Sequence, residues 1–171
     1  MLWIAIAIAI VALDQVSKFL IINNINLGQQ IPVISDFFNI THWKNTGAAW
    51  GILENGRLFF IPFTIVLSGV LIRIHMKSDS KFLKLSITMI LGGALGNFID
   101  RAFRGSVVDF LQFIFGSYQF PIFNVADSFV VIGTALMVYY ILFMQKENEK
   151  KEAENKAFKN KEIENKEVGE S

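Results

Sequence analysis

Four stretches of the chain are built almost wholly from apolar residues, with polar residues few between them. The first runs from Met1 to about Ile22 and is interrupted by Asp14 and Lys18. The second covers Leu58 to Ile74, the third about Phe82 to Ile99, and the fourth about Asn124 to Met144. Each approaches the roughly 20 residues that a helix needs to cross a bilayer. The second and third are short for that task, so their ends borrow interfacial residues. The first lacks the basic flank of a signal peptide, and apolar sequence resumes after Lys18 with Phe19-Leu20-Ile21-Ile22. It reads as a retained span.

Basic residues set the orientation. Arg73, Lys77, Lys81 and Lys84 flank the turn between spans two and three, against the single acid Asp79. Short basic loops stay in the cytoplasm. Four spans then leave both termini cytoplasmic, with two connections outside. The outer segment from Asn23 to Arg57 is too long for a tight turn. Its Val33-Ile34 and Phe37-Phe38-Asn39-Ile40-Thr41 predict short strands. Phe37, Phe38, Trp43 and Trp50 are residue types enriched at membrane–water interfaces. The second outer segment, about Arg101 to Phe123, contains Asp109. The expected fold is an all-α integral membrane protein of four transmembrane helices, with a small extracytoplasmic β-containing segment between helices 1 and 2. Residues 1–144 form that membrane domain. Residues 145–171, nearly all Lys, Glu and Asn, form a solvated cytoplasmic tail, frayed or disordered.

Composition narrows the chemistry. Of 171 residues 53% are hydrophobic, too many for an ordinary soluble domain. A net charge of +1 gives no reason to expect nucleic acid. No cysteine is present, which removes disulfides, thiol nucleophiles and cysteine-based metal sites. His42 and His75 are far apart and not spaced as ligands, so a histidine-rich metal site is not expected, and nothing in the chain requires a metal or organic cofactor. Asn39-Ile40-Thr41 fits a glycosylation sequon, a pattern common by chance.

The polar residues that remain converge on one side. Asp14 and Lys18 lie in the outer half of span one. Asn97, Asp100 and Arg101 end span three, Asn124 and Asp127 begin span four, and Asn45 and Asp109 sit in the outer connections. Ionisable groups in or beside membrane segments are functional candidates by default. Each also has a plainer reading. Asp14 and Lys18, four apart on one helix face, can neutralise each other. Asn124 and Asp127 fit a capping box. Arg101, and Arg104 with more reason, can reach for headgroups. Gly92, Gly93 and Gly96 fit a close-packed helix face. Gly47-Ala48-Ala49 reads as a turn or as a place where a peptide backbone comes close. Asp109, among Val107, Val108 and Phe110, has no obvious structural duty.

Taken in order, five stretches resemble the prolipoprotein signal peptidases, the signal peptidase II family of bacterial membrane aspartyl proteases. They are Asp14-Gln15-Val16-Ser17-Lys18, Asn45 to Gly51, Gly92 to Arg101, Val107-Val108-Asp109-Phe110 and Phe123 to Ser128. The resemblance implies removal of the signal peptide from a prolipoprotein, just before a cysteine carrying diacylglyceryl. It implies a catalytic pair at Asp109 and Asp127. Asp14, Asn45, Gly47, Asn97, Arg101 and Asn124 match residues that bind substrate or brace the site. It also implies a bacterial cell-membrane location near lipid, and inhibition by globomycin-type cyclic peptides. Trp50 stands where the family more often has Phe. With neither Cys nor a Ser–His pair, water is the expected nucleophile and one carboxylate its base. A small proton-coupled transporter is the competing reading, and a structural four-helix adaptor a third.

Overall fold

The computed structural model describes residues 1–47, 56–147 and 150. Trp50 and the tail beyond residue 150 lie outside the described residues. Four long helices dominate: α1 (Leu2–Asn24), α2 (Arg57–Lys77), α3 (Lys81–Ile99) and α4 (Val125–Tyr139). Single π-helical turns, Asp100–Arg104 and Tyr140–Met144, extend α3 and α4. Local chemistry explains the ends. Ser80 accepts the Leu83 N–H at 3.3 Å to start α3. Gly105, at φ 82°, turns the chain out of the π-helical extension.

With these extensions, all four helices are long and apolar enough to cross a membrane. Their exposed faces agree with a hydrocarbon surround. On α2 only Leu71 is buried, while Phe59, Phe63, Ile65 and Val66 face outward. A helix apolar all round needs such a solvent.

Helix α3 is the hub, packed against the other three. Its glycines allow close approach. A Cβ at Gly92 would sit 3.0 Å from Ile10 of α1. A Cβ at Gly93 would strike the Ala126 carbonyl oxygen of α4, with Val130 Cγ2 at 2.8 Å. A Cβ at Gly96 would lie 2.5 Å from Asp14 Oδ2. The glycine face is therefore a packing face, and Gly96 also leaves room for a carboxylate. These contacts run α1 parallel to α3 and α4 antiparallel to it. The end of α3, the start of α4 and the second half of α1 meet at one end of the bundle. At the other end, Trp3 packs edge-on to His75 with ring centroids 5.9 Å apart.

The polar end carries a four-stranded antiparallel sheet in the order β1 (Gln30–Ile34), β2 (Phe38–Asn45), β3 (Val107–Phe115) and β4 (Tyr118–Gln119). The expected β segment between helices 1 and 2 is present as β1 and β2, and the sheet extends beyond it. Two of the strands come from the connection between α3 and α4. The reason is local. Val107-Val108-Asp109-Phe110-Leu111-Gln112-Phe113-Ile114-Phe115 is rich in β-branched and aromatic residues, and β2 offers it a partner. Phe113 stacks on Phe38 at 4.8 Å and on Phe123 at 5.8 Å, tying the sheet to the segment before α4. The β2–β3 register shifts between Ile40 and Trp43, just before Trp43 pairs with Asp109. A bulge of this kind re-aims neighbouring side chains. Asn39 of the sequon is buried in the sheet and donates to Gln112 at 3.3 Å.

Gly93→Val tests the packing, since its Cβ alone would already strike the Ala126 backbone carbonyl, which cannot yield as a side chain can. Overpacking of this sort is expected to destabilise by about 1–3 kcal/mol. Thermal melting of the purified protein in detergent measures it, and a variant melting with wild type would sink the close-contact account.

Candidate active site

Asp127 is the third residue of α4, and its place there follows from the helix start. Asn124 accepts the Asp127 N–H on Oδ1 at 2.9 Å, and Asp127 Oδ2 accepts the Asn124 N–H at 3.2 Å. This capping box leaves Asp127 Oδ1 free to accept from Asn97 Nδ2 at 2.7 Å. Asp109 arrives from β3 and is 1% exposed. Its Oδ1 accepts from Asn124 Nδ2 at 2.6 Å, and its Oδ2 from Asn45 Nδ2 at 2.8 Å. Asn124 thus touches both aspartates, with its backbone N–H on one and its side-chain amide on the other. The capping and site readings of Asn124 hold together.

Asn45 cannot turn its amide around. Its Oδ1 accepts the Gly47 N–H at 2.9 Å, so its NH2 faces Asp109. Arg101 donates to the Gly47 carbonyl at 3.2 Å and stacks over the Phe60 ring at 4.7 Å. A headgroup is not needed to explain it. Arg104 likewise departs from the headgroup reading. It pairs with Asp100 and donates to Gln15 Oε1 at 2.8 Å.

Behind this layer lies a buried ionic cluster. Lys18 Nζ reaches Asp14 Oδ2 at 2.9 Å, Asp100 Oδ2 at 2.9 Å and Asn97 Oδ1 at 3.0 Å. The side chains of Lys18, Asp14 and Asp100 are all fully buried. Asp14 Oδ1 also accepts the Ala126 N–H of α4 at 3.0 Å. Asp14 and Lys18 do neutralise each other, but within a larger assembly. Lys18 and Asp100 are among the converging polar residues noted from sequence but not among those expected to bind substrate or brace the site, and Gln15 is in neither group. The i, i+4 spacing of Asp14 and Lys18, and the acid ending span three, were the available signals.

A cavity of about 650 Å³ opens onto the two aspartates. Its polar wall includes Asn45, Asn97, Arg101, Asp109, Asp127 and Ser128, and its apolar wall includes Phe120, Val130 and Ile132. All eight expected site residues gather here. Six line the cavity, while Asn124 and Asp14 stand behind it. The arrangement offers two carboxylates in a half-apolar pocket, each held by amide donors, which is chemistry suited to moving protons.

Burial pushes the Asp109 carboxyl up to about 7, and the neighbouring Asp127 charge adds to the shift. The amides of Asn45 and Asn124, and the Lys18 ammonium, act in the opposite direction without cancelling it.

A four-helix bundle with such a pocket defines a multi-pass membrane enzyme. Known proteins agree. Residues 6–143 match the family described as Signal peptidase (SPase) II. A "Lipoprotein signal peptidase" from Bacillus pumilus (strain SAFR-032) is 44% identical over 153 residues, spanning 88% of this chain and 98% of the relative. Another, from Listeria monocytogenes serotype 4b (strain CLIP80459), is 44% identical over 143 residues, spanning 82% and 93%. Two solved structures, each described as a bacterial membrane enzyme, superpose well. One has a TM-score of 0.77 at 42% identity, covering 82% of this chain and 87% of that one. The other has a TM-score of 0.76 at 41% identity, covering 84% and 94%. The chain belongs to the signal peptidase II family. These relatives lend no support to the transporter reading.

Folding raises the proton affinity of Asp109, so its contribution to stability is full below pH 3.8 and is lost as pH rises through about 7. Melting temperature should therefore fall from about pH 4 to about pH 7 and level off above that. Asp109→Asn, which cannot ionise, should lose less over that interval. Identical pH dependence in the two proteins would contradict the assignment.

Proposed function

We propose that this chain is an aspartyl endopeptidase of the cell membrane. It removes the signal peptide of a prolipoprotein by cutting just before the diacylglyceryl-modified cysteine. Asp109 and Asp127 are the catalytic pair, and water is the nucleophile. The observation that carries this reading is the Asn124 bridge. One residue holds both carboxylates at the same cavity wall.

The two carboxylates have different surroundings. Asp127 lies in the first turn of α4, where the helix dipole favours a negative charge. Asp109 lies on a strand, buried, with a raised proton affinity. The helix N-terminus beside Asp127 assigns it the role of base and leaves Asp109 as the acid, the pair sharing one proton. Asp127 takes a proton from water as its oxygen bonds to the scissile carbonyl carbon. Asp109 gives its proton to the carbonyl oxygen. The tetrahedral intermediate then collapses. The C–N bond breaks, the amine leaves with the proton that Asp127 had taken, and Asp109 recovers its own. General acid–base catalysis of this kind contributes ~10²–10⁴-fold.

Asn97, Asn124 and Asp14 brace Asp127. Asn45 braces Asp109, and Arg101 fixes the Gly47 carbonyl at the cavity edge. The apolar wall suits the hydrophobic part of the substrate and its lipid. Globomycin-type inhibitors would compete for the same cavity. Arg73, Lys77, Lys81 and Lys84 at the opposite end favour cytoplasmic termini and an active site near the outer leaflet. Residues 1–144 make up the membrane peptidase domain, and residues 145–171 a cytoplasmic tail.

The test is cleavage of a purified diacylglyceryl prolipoprotein in detergent by wild type, Asp109→Asn and Asp127→Asn. Wild type should cut before the modified cysteine, and each folded variant should lose at least ~10²-fold. Near-normal cutting by either variant would remove that aspartate from the mechanism. Absence of cutting by folded wild type would remove the function.

A further inference from the structure

Lys18 is enclosed by three acceptors and donates to all of them: Asp14, Asp100 and Asn97. An ammonium has three N–H donors, so none is left over. Neutralising one carboxylate would require one contact. The destinations of the other carboxylate bonds explain the arrangement. Asp14 Oδ1 accepts the N–H of Ala126, the residue before Asp127, at 3.0 Å. Asp100 Oδ2 accepts the N–H of Val108, the residue before Asp109, at 3.2 Å. Each carboxylate that Lys18 grips thus holds the backbone one residue ahead of a catalytic aspartate. The third donor orients Asn97, whose Oδ1 faces Lys18 and whose Nδ2 therefore faces Asp127.

We propose that Lys18 is a positioning residue for the reaction, fixing the separation of Asp109 and Asp127 by locking Asp14 to Asp100. The proposal rests on Asp109 and Asp127 being the reacting pair. Separation matters because two carboxylates share a proton only while their charges interact strongly. The gap between their two apparent pKa values measures that interaction. The charged groups facing the pair from neighbouring elements are Lys18 and Asp14 of α1, and Asp100 and Arg101 at the end of α3. Arg104 closes the cluster against Asp100 from the rim. Lys44 of β2 and Arg57 of α2 are exposed.

Lys18→Met tests the lock. With Lys18 gone, only the neutral Gln15 amide, 3.1 Å from Asp14 Oδ2 and 3.2 Å from Asp100 Oδ1, still bridges the two carboxylates, so the backbones separate and the aspartates couple less. The two limbs of the bell-shaped dependence of kcat on pH should draw together. We expect kcat to fall 10- to 100-fold with KM within about twofold of wild type, and Lys18→Arg to recover part of the loss. Because Lys18→Met strands two buried carboxylates, Lys18→Met combined with Asp100→Asn is the second variant. It removes one charge of each sign and leaves an acceptor for the Val108 N–H. Thermal melting establishes that each protein is folded. A narrowed bell in either folded variant supports the proposal. A bell of wild-type width, with kcat reduced only in proportion to folded protein, overturns it. Asp109→Asn and Asp127→Asn, run alongside, separate the two failures. Retained activity there sinks the catalytic pair. Lost activity there, with an unchanged bell in the Lys18 variants, sinks only the positioning role.

Discussion

Aspartate and asparagine have short side chains, so a site made from them requires backbones nearly in contact. Helix α3 supplies that condition. Gly93 brings it against the backbone of α4, and Gly96 leaves the space that the Asp14 carboxylate occupies. From that approach the polar connections follow. Asp14 reaches across to the first turn of α4, Asn97 reaches Asp127, and Lys18 extends along the same seam to Asp100. Larger residues on the α3 face would hold the helices apart, and each hydrogen bond would then span too far. In an apolar surround an unmade bond of this type is heavily penalised, so packing and polar pairing stand or fall together.

The same residues build the fold and the chemistry. Asn124 starts α4 and holds Asp109. Asp14 satisfies an otherwise unpaired N–H in the first turn of α4 and takes part in the ion cluster. Asn45 ends β2 and aims an amide at the site. Loss of activity in variants at these positions therefore needs a stability measurement beside it, because helix initiation and carboxylate placement are altered at once.

Much of this was legible in the sequence. The four apolar runs gave the helices, since length and hydropathy report directly on a hydrocarbon surround. The clustering of Asp14, Asn45, Asn97, Asp109, Asn124 and Asp127 at one depth followed from helix direction alone. The strand around Asp109 was not legible as such. Its first four residues are all buried, so no alternation of apolar and polar positions marks it. Its pairing partner lies some 60 residues earlier, beyond any local pattern. Lys18 looked like half of a helical ion pair because i, i+4 spacing is a local signal. Its second carboxylate, Asp100, is contributed by another helix and became visible only in three dimensions.

The pairing of β2 with β3 has a consequence for how the protein is made. The donors that hold Asp109 come from Asn45, in the first connection, and from Asn124, at the threshold of the last helix. Contacts this distant in sequence form late, after the intervening chain has found its place. During synthesis a nascent chain that ends before residue 124 has only half of the carboxylate pair. The polar cluster around Asp109 is therefore closed only once the last helix has joined the bundle.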